Sequence, residues 1–156
     1  LERIRQPITI EIAFDDPVTP GHEKYSYTGV LDDTETKIYV YPYETIVSEK
    51  LQTVISLGIT SSRTKDLYDL YVISKLHVNK LNSKDTLKAI RQTFIHRDTD
   101  YDMAFILEKL NAIKSNVTQK QLWNRYKRNH YFAQNLDFNN VMESIIILIK
   151  AIYTQT

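Results

Sequence analysis

The chain has no cysteine, and only three glycines and four prolines in 156 residues. Without cysteine there is no disulfide frame, no thiolate zinc site, no nucleophilic thiol and no redox pair, a composition that suits a reducing cytosol. Three glycines do not make a glycine-rich phosphate loop. Long apolar runs are missing too. The longest, Ile145 to Ile149, falls far short of the roughly 20 residues of a membrane helix, and no basic-then-apolar signal segment opens the chain. His22, His77, His96 and His130 show no metal-ligand spacing, and no Ser-His-Asp arrangement stands out. Net charge is also small, with 20 Lys and Arg against 19 Asp and Glu.

What is present is 42% hydrophobic and 25% charged, the composition of one ordinary globular domain of about 100 to 200 residues. Ile8, Ile10, Ile12 and Phe14 alternate with other residues at the period of a half-buried strand. Tyr25 to Leu31 and Thr36 to Tyr41 read as two more short strands around the turn-like Asp32-Asp33-Thr34. From Pro42 the period changes. Ile46, Val47, Leu51, Val54 and Ile55 form the stripe of a first helix ending at Gly58, and Thr64 to about His77 reads as a second, apolar nearly all round and so expected to be central. Ser83 to Arg97, Asp100 to Lys114, Thr118 to Asn129 and Asp137 to Tyr153 follow as four more, Thr118 with Gln121 fitting a capping box. The class is α+β: a short β segment, then a bundle of about six helices.

Charge is unevenly spread beneath the small net value. Glu11 to Glu35 carries seven acids against Lys24, whereas Lys114 to His130 carries five cations and no acid. Such polarity marks either a cation-binding and a phosphate-binding end or two solvated surfaces. Glu11, on the strand face opposite the isoleucines, is an exposed glutamate or one carboxylate of a magnesium site. Lys50, at the margin of the first helix's stripe, either covers core with its stem or turns its ammonium into a cleft to hold phosphate. In Arg63-Thr64-Lys65-Asp66-Leu67-Tyr68-Asp69, the helix dipole explains Asp66 in a first turn. Asp69, among apolar residues, needs a partner such as Lys65, Arg63 or Lys50. Trp123 reads as helix core, and Arg125, Lys127, Arg128 and His130 as a solvated face or an RNA-backbone contact.

Three ordered blocks, Ile8 to Gly21, Val40 to Leu51 and Gly58 to Tyr71, carry a resemblance. With Ile8-Thr9-Ile10-Glu11-Ile12, Tyr41-Pro42-Tyr43-Glu44 through Glu49-Lys50-Leu51, and Ser62-Arg63-Thr64-Lys65-Asp66-Leu67-Tyr68-Asp69, the chain resembles the AbiEii/AbiGii toxin family of nucleotidyltransferases. The likeness is close from Ile8 to about Ile73; beyond, it rests on helical character and the late tryptophan. It implies a polymerase-β-like fold with a helical C-terminal part, acting as the toxin of bacterial toxin–antitoxin and phage abortive-infection systems. It also implies nucleotide transfer from NTP with Mg²⁺, in some members to the acceptor end of tRNA.

Carried over by position, Lys50 would bind the triphosphate, and Arg63 and Lys65 would support phosphate or the acidic pair. Asp66 would be the essential acid, Asp69 would hold the helix or assist Asp66, and Glu11 would stand in the place of a metal-ligating strand acid. The superfamily's opening motif, Gly-Gly or Gly-Ser followed by Asp-x-Asp or Asp-x-Glu, is missing from these residues, and the chain opens at Leu1. The expectation is therefore the C-terminal portion of a longer cytoplasmic toxin, inactive alone, with residues 1–78 belonging to the transferase core and 79–156 a helical region packed with it. Its partners would be NTP, RNA, a cognate antitoxin and, through an exposed strand edge, another copy. The rival readings are a non-catalytic RNA- or protein-binding helical module and the remnant of a decayed gene.

Overall fold

The computed structural model describes residues 7–10 and 14–154. Two strands, β1 (Glu23–Thr28) and β2 (Glu35–Val40), pair antiparallel with Tyr25 opposite Ile38. Alternation puts Tyr25, Tyr27, Ile38 and Val40 on one face and Lys24, Ser26, Lys37 and Tyr39 on the other. β1 stops at Thr28 because the chain turns at Gly29, whose N–H donates to Thr34 O at 2.8 Å. A Cβ there would lie 2.3 Å from Asp32 Oδ1, the oxygen that accepts from Thr34 N at 3.2 Å, so a side chain would push the Asp32 carboxylate off Thr34.

The strand expected over Ile8 to Phe14 is not found in residues 7–10 or at Phe14, and residues 11–13 lie outside the described part. Ile8, Ile10 and Phe14 are exposed. Period-two alternation makes a strand only where a neighbouring strand takes the backbone hydrogen bonds, and the described sheet contains only β1 and β2.

Six helices follow: α1 (Tyr43–Leu57), α2 (Thr64–Val72, continuing as a π turn over Ile73–His77), α3 (Ser83–His96), α4 (Met103–Ser115), α5 (Val117–Asn129) and α6 (Phe138–Thr154). Gly58 ends α1 at φ 53°, a conformation that strains residues with a Cβ, and returns its N–H to Val54 O. Side-chain caps open the later helices. Asn82 accepts from Lys84 N and Asp85 N, Asp102 from Ala104 N and Phe105 N, and Asp137 from Asn139 N and Asn140 N. α5 is capped by Asn116, which accepts from Gln119 N. The capping box expected at Thr118 is thus displaced by an asparagine two residues earlier, and Thr118 lies inside the helix.

The central helix is α6, not α2. Val141, Met142, Ile145 and Ile149 of α6 are fully buried, and α6 packs against α2, α3 and α4. α1 lies along α3, with Val47 and Leu51 in the same apolar cluster as Ile90 and Phe94. α2 contributes Leu67 and Leu70 to that cluster, while Lys65 and, in the π turn, Leu76 face outward. Its charges explain the difference, since a helix carrying Lys65 and Asp69 needs one side near water.

Candidate active site

α1 and α2 are packed together so that Lys50, half-buried at the edge of the α1 stripe, turns its ammonium toward α2. Nζ donates to Asp66 Oδ1 at 3.1 Å and lies 2.6 Å from Asp69 Oδ2. Arg63 Nε donates to the other Asp66 oxygen at 2.9 Å, and Lys65 Nζ to Asp69 Oδ2 at 2.7 Å. Of the two positions left open by spacing, the lysine takes the one in the cleft. Burial pulls the Lys50 ammonium down, but its hydrogen bonds to the Asp69 and Asp66 carboxylates and their charge outweigh it and hold its pKa above the ordinary 10.5.

The acids exchange their expected environments. Asp66 is the buried one, with its side chain 6% exposed, and Asp69 is at 20%. Asp66 points from the first turn of α2 into the α1 interface, where Lys50 and Arg63 compensate it. Asp69 finds Lys50 and Lys65, two of its three expected partners, while Arg63 serves Asp66. Three cations against two carboxylates leave the cluster with a surplus positive charge.

This cluster forms one wall of a cleft of about 640 Å³ between Ile46, Glu49, Lys50 and Thr53 of α1, Arg63, Lys65, Asp66 and Asp69, and Arg97. Glu49 adds an element that the sequence reading passed over. Its Oε1 is buried without a hydrogen-bond partner, and burial raises its pKa above the ordinary 4.5, against the pull of Arg97. Arg97 in turn donates to Asp16 Oδ1 at 2.8 Å and to Gln52 Oε1 at 3.2 Å, fastening the loop before β1 to the helices. Asp16 and Arg97 are 81 residues apart, so no local spacing announces them. Glu49 had a signal in its place beside Lys50, between Ile46 and Thr53, on the same helix face.

The carboxylates among the described residues do not group into a magnesium site. Among the described residues no three His, Cys, Asp or Glu side chains are grouped to hold a metal, and Asp66 and Asp69 are both engaged by cations. Glu11, the residue expected at the metal, lies outside the described residues. Trp123 is fully buried and donates Nε1–H to Leu136 O at 3.1 Å, so it is core.

Residues 1–144 match the family described as nucleotidyl transferase AbiEii toxin, Type IV TA system. The chain belongs to that family. No curated protein and no solved structure matches it. Membership places this AbiEii chain in Type IV toxin–antitoxin systems and so implies an antitoxin as partner. Among the described residues no helix is long and apolar enough to cross a membrane.

Proposed function

We propose that the Lys50 cluster of this AbiEii chain holds the triphosphate of an NTP while its nucleotide is transferred to RNA, tRNA among the acceptors. The observation that carries the reading is the surplus cation of the Lys50, Arg63, Lys65, Asp66 and Asp69 network at the wall of an open cleft. In the transfer, an acceptor hydroxyl oxygen forms a bond to the α-phosphorus and gives its proton to solvent, the bond from that phosphorus to the β-phosphate oxygen breaks, and pyrophosphate leaves with the developing charge. Lys50, kept protonated by its two carboxylates, meets that charge as a point cation. Arg63 binds Asp66 through Nε, which leaves its terminal nitrogens for phosphate.

Asp66 and Asp69 act as positioning residues that hold the ammonium where the phosphate arrives. The family resemblance implies Mg²⁺, but the described carboxylates do not form its site, and no step is assigned to it here. The superfamily's Gly-Gly or Gly-Ser turn followed by Asp-x-Asp is not among these 156 residues, and the run Asp98-Thr99-Asp100-Tyr101-Asp102 has no such turn before it; the transfer is proposed for the complete gene product. Arrest of the cell by modified RNA is the outcome that phage defence by abortive infection requires.

The test is incorporation of labelled nucleotide into RNA by the complete gene product, with Lys50→Ala and Asp66→Asn compared at equal helix content. Loss of incorporation in both is expected. Undiminished incorporation by either folded variant overturns the assignment.

A further inference from the structure

A second groove, about 560 Å³ in volume, runs from Ser62–Asp66 at the start of α2 to α5. It shares Arg63, Lys65 and Asp66 with the cleft. Its only acid, Asp66, is buried and bound by Lys50 and Arg63, and Lys65 is paired with Asp69 outside the groove, so the cations it presents are Arg125 and, beyond their ion pairs, the exposed Arg63 and Lys65. From Lys109 to Leu136 the chain has no acid, and the exposed Arg125 has none on its own helix. The C-terminal end of the helix dipole accounts for Lys127 and Arg128 in the last turn of α5, but not for Arg125, which faces the groove.

Beside the cations lies a flat aromatic surface. The His130 ring stacks on Tyr126 with centroids 4.1 Å apart and planes 20° from parallel, fixed by a hydrogen bond of 2.9 Å between Nδ1 and Tyr126 O. Tyr126 rests on the fully buried Trp123 at 5.6 Å, so the surface is backed by core. Phosphate-binding cations next to a rigid ring stack answer the two halves of an unpaired nucleotide, its backbone charge and the face of its base.

We infer that this groove seats the single-stranded end of the acceptor RNA, with backbone phosphates on Arg125, Arg63 and Lys65 and a base on the His130–Tyr126 stack. That identity rests on the transferase reading. The continuity of groove and cleft at Arg63 and Lys65 gives an acceptor strand a path to the Lys50 cluster.

The test is fluorescence anisotropy of a labelled single-stranded RNA roughly 12 nucleotides long, within the span such grooves track, titrated with the 156-residue chain in the absence of NTP. Arg125→Glu is expected to weaken binding about tenfold and to lower the slope of log affinity against log salt by about one. His130→Ala is expected to weaken it about fivefold with the slope unchanged. Lys37→Glu, on the hairpin and of equal charge change, is expected to bind as the unaltered chain does. The inference is overturned if Arg125→Glu binds normally, if Lys37→Glu weakens binding as much, if the unaltered chain does not bind at low salt, or if duplex RNA of the same length binds more tightly. Failure of the transferase reading shows elsewhere, as incorporation that survives Lys50→Ala, and leaves these affinities as they were.

Discussion

Lys50 and Asp66 face each other across the α1–α2 interface at 3.1 Å, and the same ammonium reaches Asp69, one helical turn further along α2. One cation thus ties two turns of α2 to α1. Replacing it by methionine keeps most of the stem but leaves the buried Asp66 with Arg63 alone. Lys50→Met is expected to destabilise the chain by about 1–3 kcal/mol, the cost of an under-compensated buried carboxylate. Lys65→Met, at a site with its side chain 71% exposed, is expected to move the urea midpoint hardly at all. Equal midpoints for the two variants would show that the Lys50 contacts do not hold the helices together.

Ile145 and Ile147 test the placement of α6. Both lie in the apolar run Ile145 to Ile149, yet Ile145 is fully buried and Ile147 is 62% exposed. Ile145→Ala is expected to cost about 2–5 kcal/mol through lost burial and the cavity left behind, and Ile147→Ala to stay within about 0.5 kcal/mol. Urea denaturation of the pair measures both, and similar losses would contradict the rotation of α6.

The helices were legible because their information is local. The stripe Val47, Leu51, Val54, Ile55 and the cap Asp137 each lie within one or two turns of the residues they govern, whereas the caps of α3 and α4 are Asn82 and Asp102 in place of Ser83 and Asp100. The pairing of Lys65 with Asp69 was legible for the same reason. The rank of the helices was less so: α2, read as apolar nearly all round, carries Lys65, Asp66 and Asp69 among its apolar residues, while α6 is the more apolar and the more deeply buried helix. For Asp66 and Asp69, spacing placed both on one helix but did not fix which would point into α1. The Arg97–Asp16 bond arises from tertiary placement alone.

Arg97 carries a prediction about the loop before β1. It binds Asp16, and three residues further on Thr19 exchanges hydrogen bonds with Thr45, its N–H donating to Oγ1 at 2.9 Å and its carbonyl accepting from Oγ1 at 3.0 Å. These contacts join the loop to the helices, while every residue of β1 is exposed. Arg97→Ala is expected to speed amide exchange over residues 14–18, with little change at the Thr19 amide and no loss of helix. Hydrogen exchange read by mass spectrometry follows each segment. Exchange in the loop as slow as in the unaltered chain would show that Thr19 and Thr45 hold it unaided.

Glu49 gives the pH dependence of stability an unusual sign. Burial makes its charged form costly in the folded chain, so the carboxyl keeps its proton to a higher pH than the ordinary 4.5. Between that value and the raised one, the folded chain binds more protons at this site than the unfolded chain does. Stability contributed by this group therefore falls as pH rises through the window, opposite to a carboxylate held by a salt bridge. Glu49→Gln removes the titration while keeping the shape. The difference in stability between the variant and the unaltered chain is expected to move in the variant's favour from pH 4.5 upward and to level off once Glu49 is fully ionised. A constant offset from the new amide drops out of that comparison. Arg97 opposes the shift, so in an Arg97→Ala background the same rise is expected to extend to higher pH. Urea midpoints of the four chains across this range measure it, and a difference that stays flat with pH would show that Glu49 ionises as readily in the folded state as in the unfolded one.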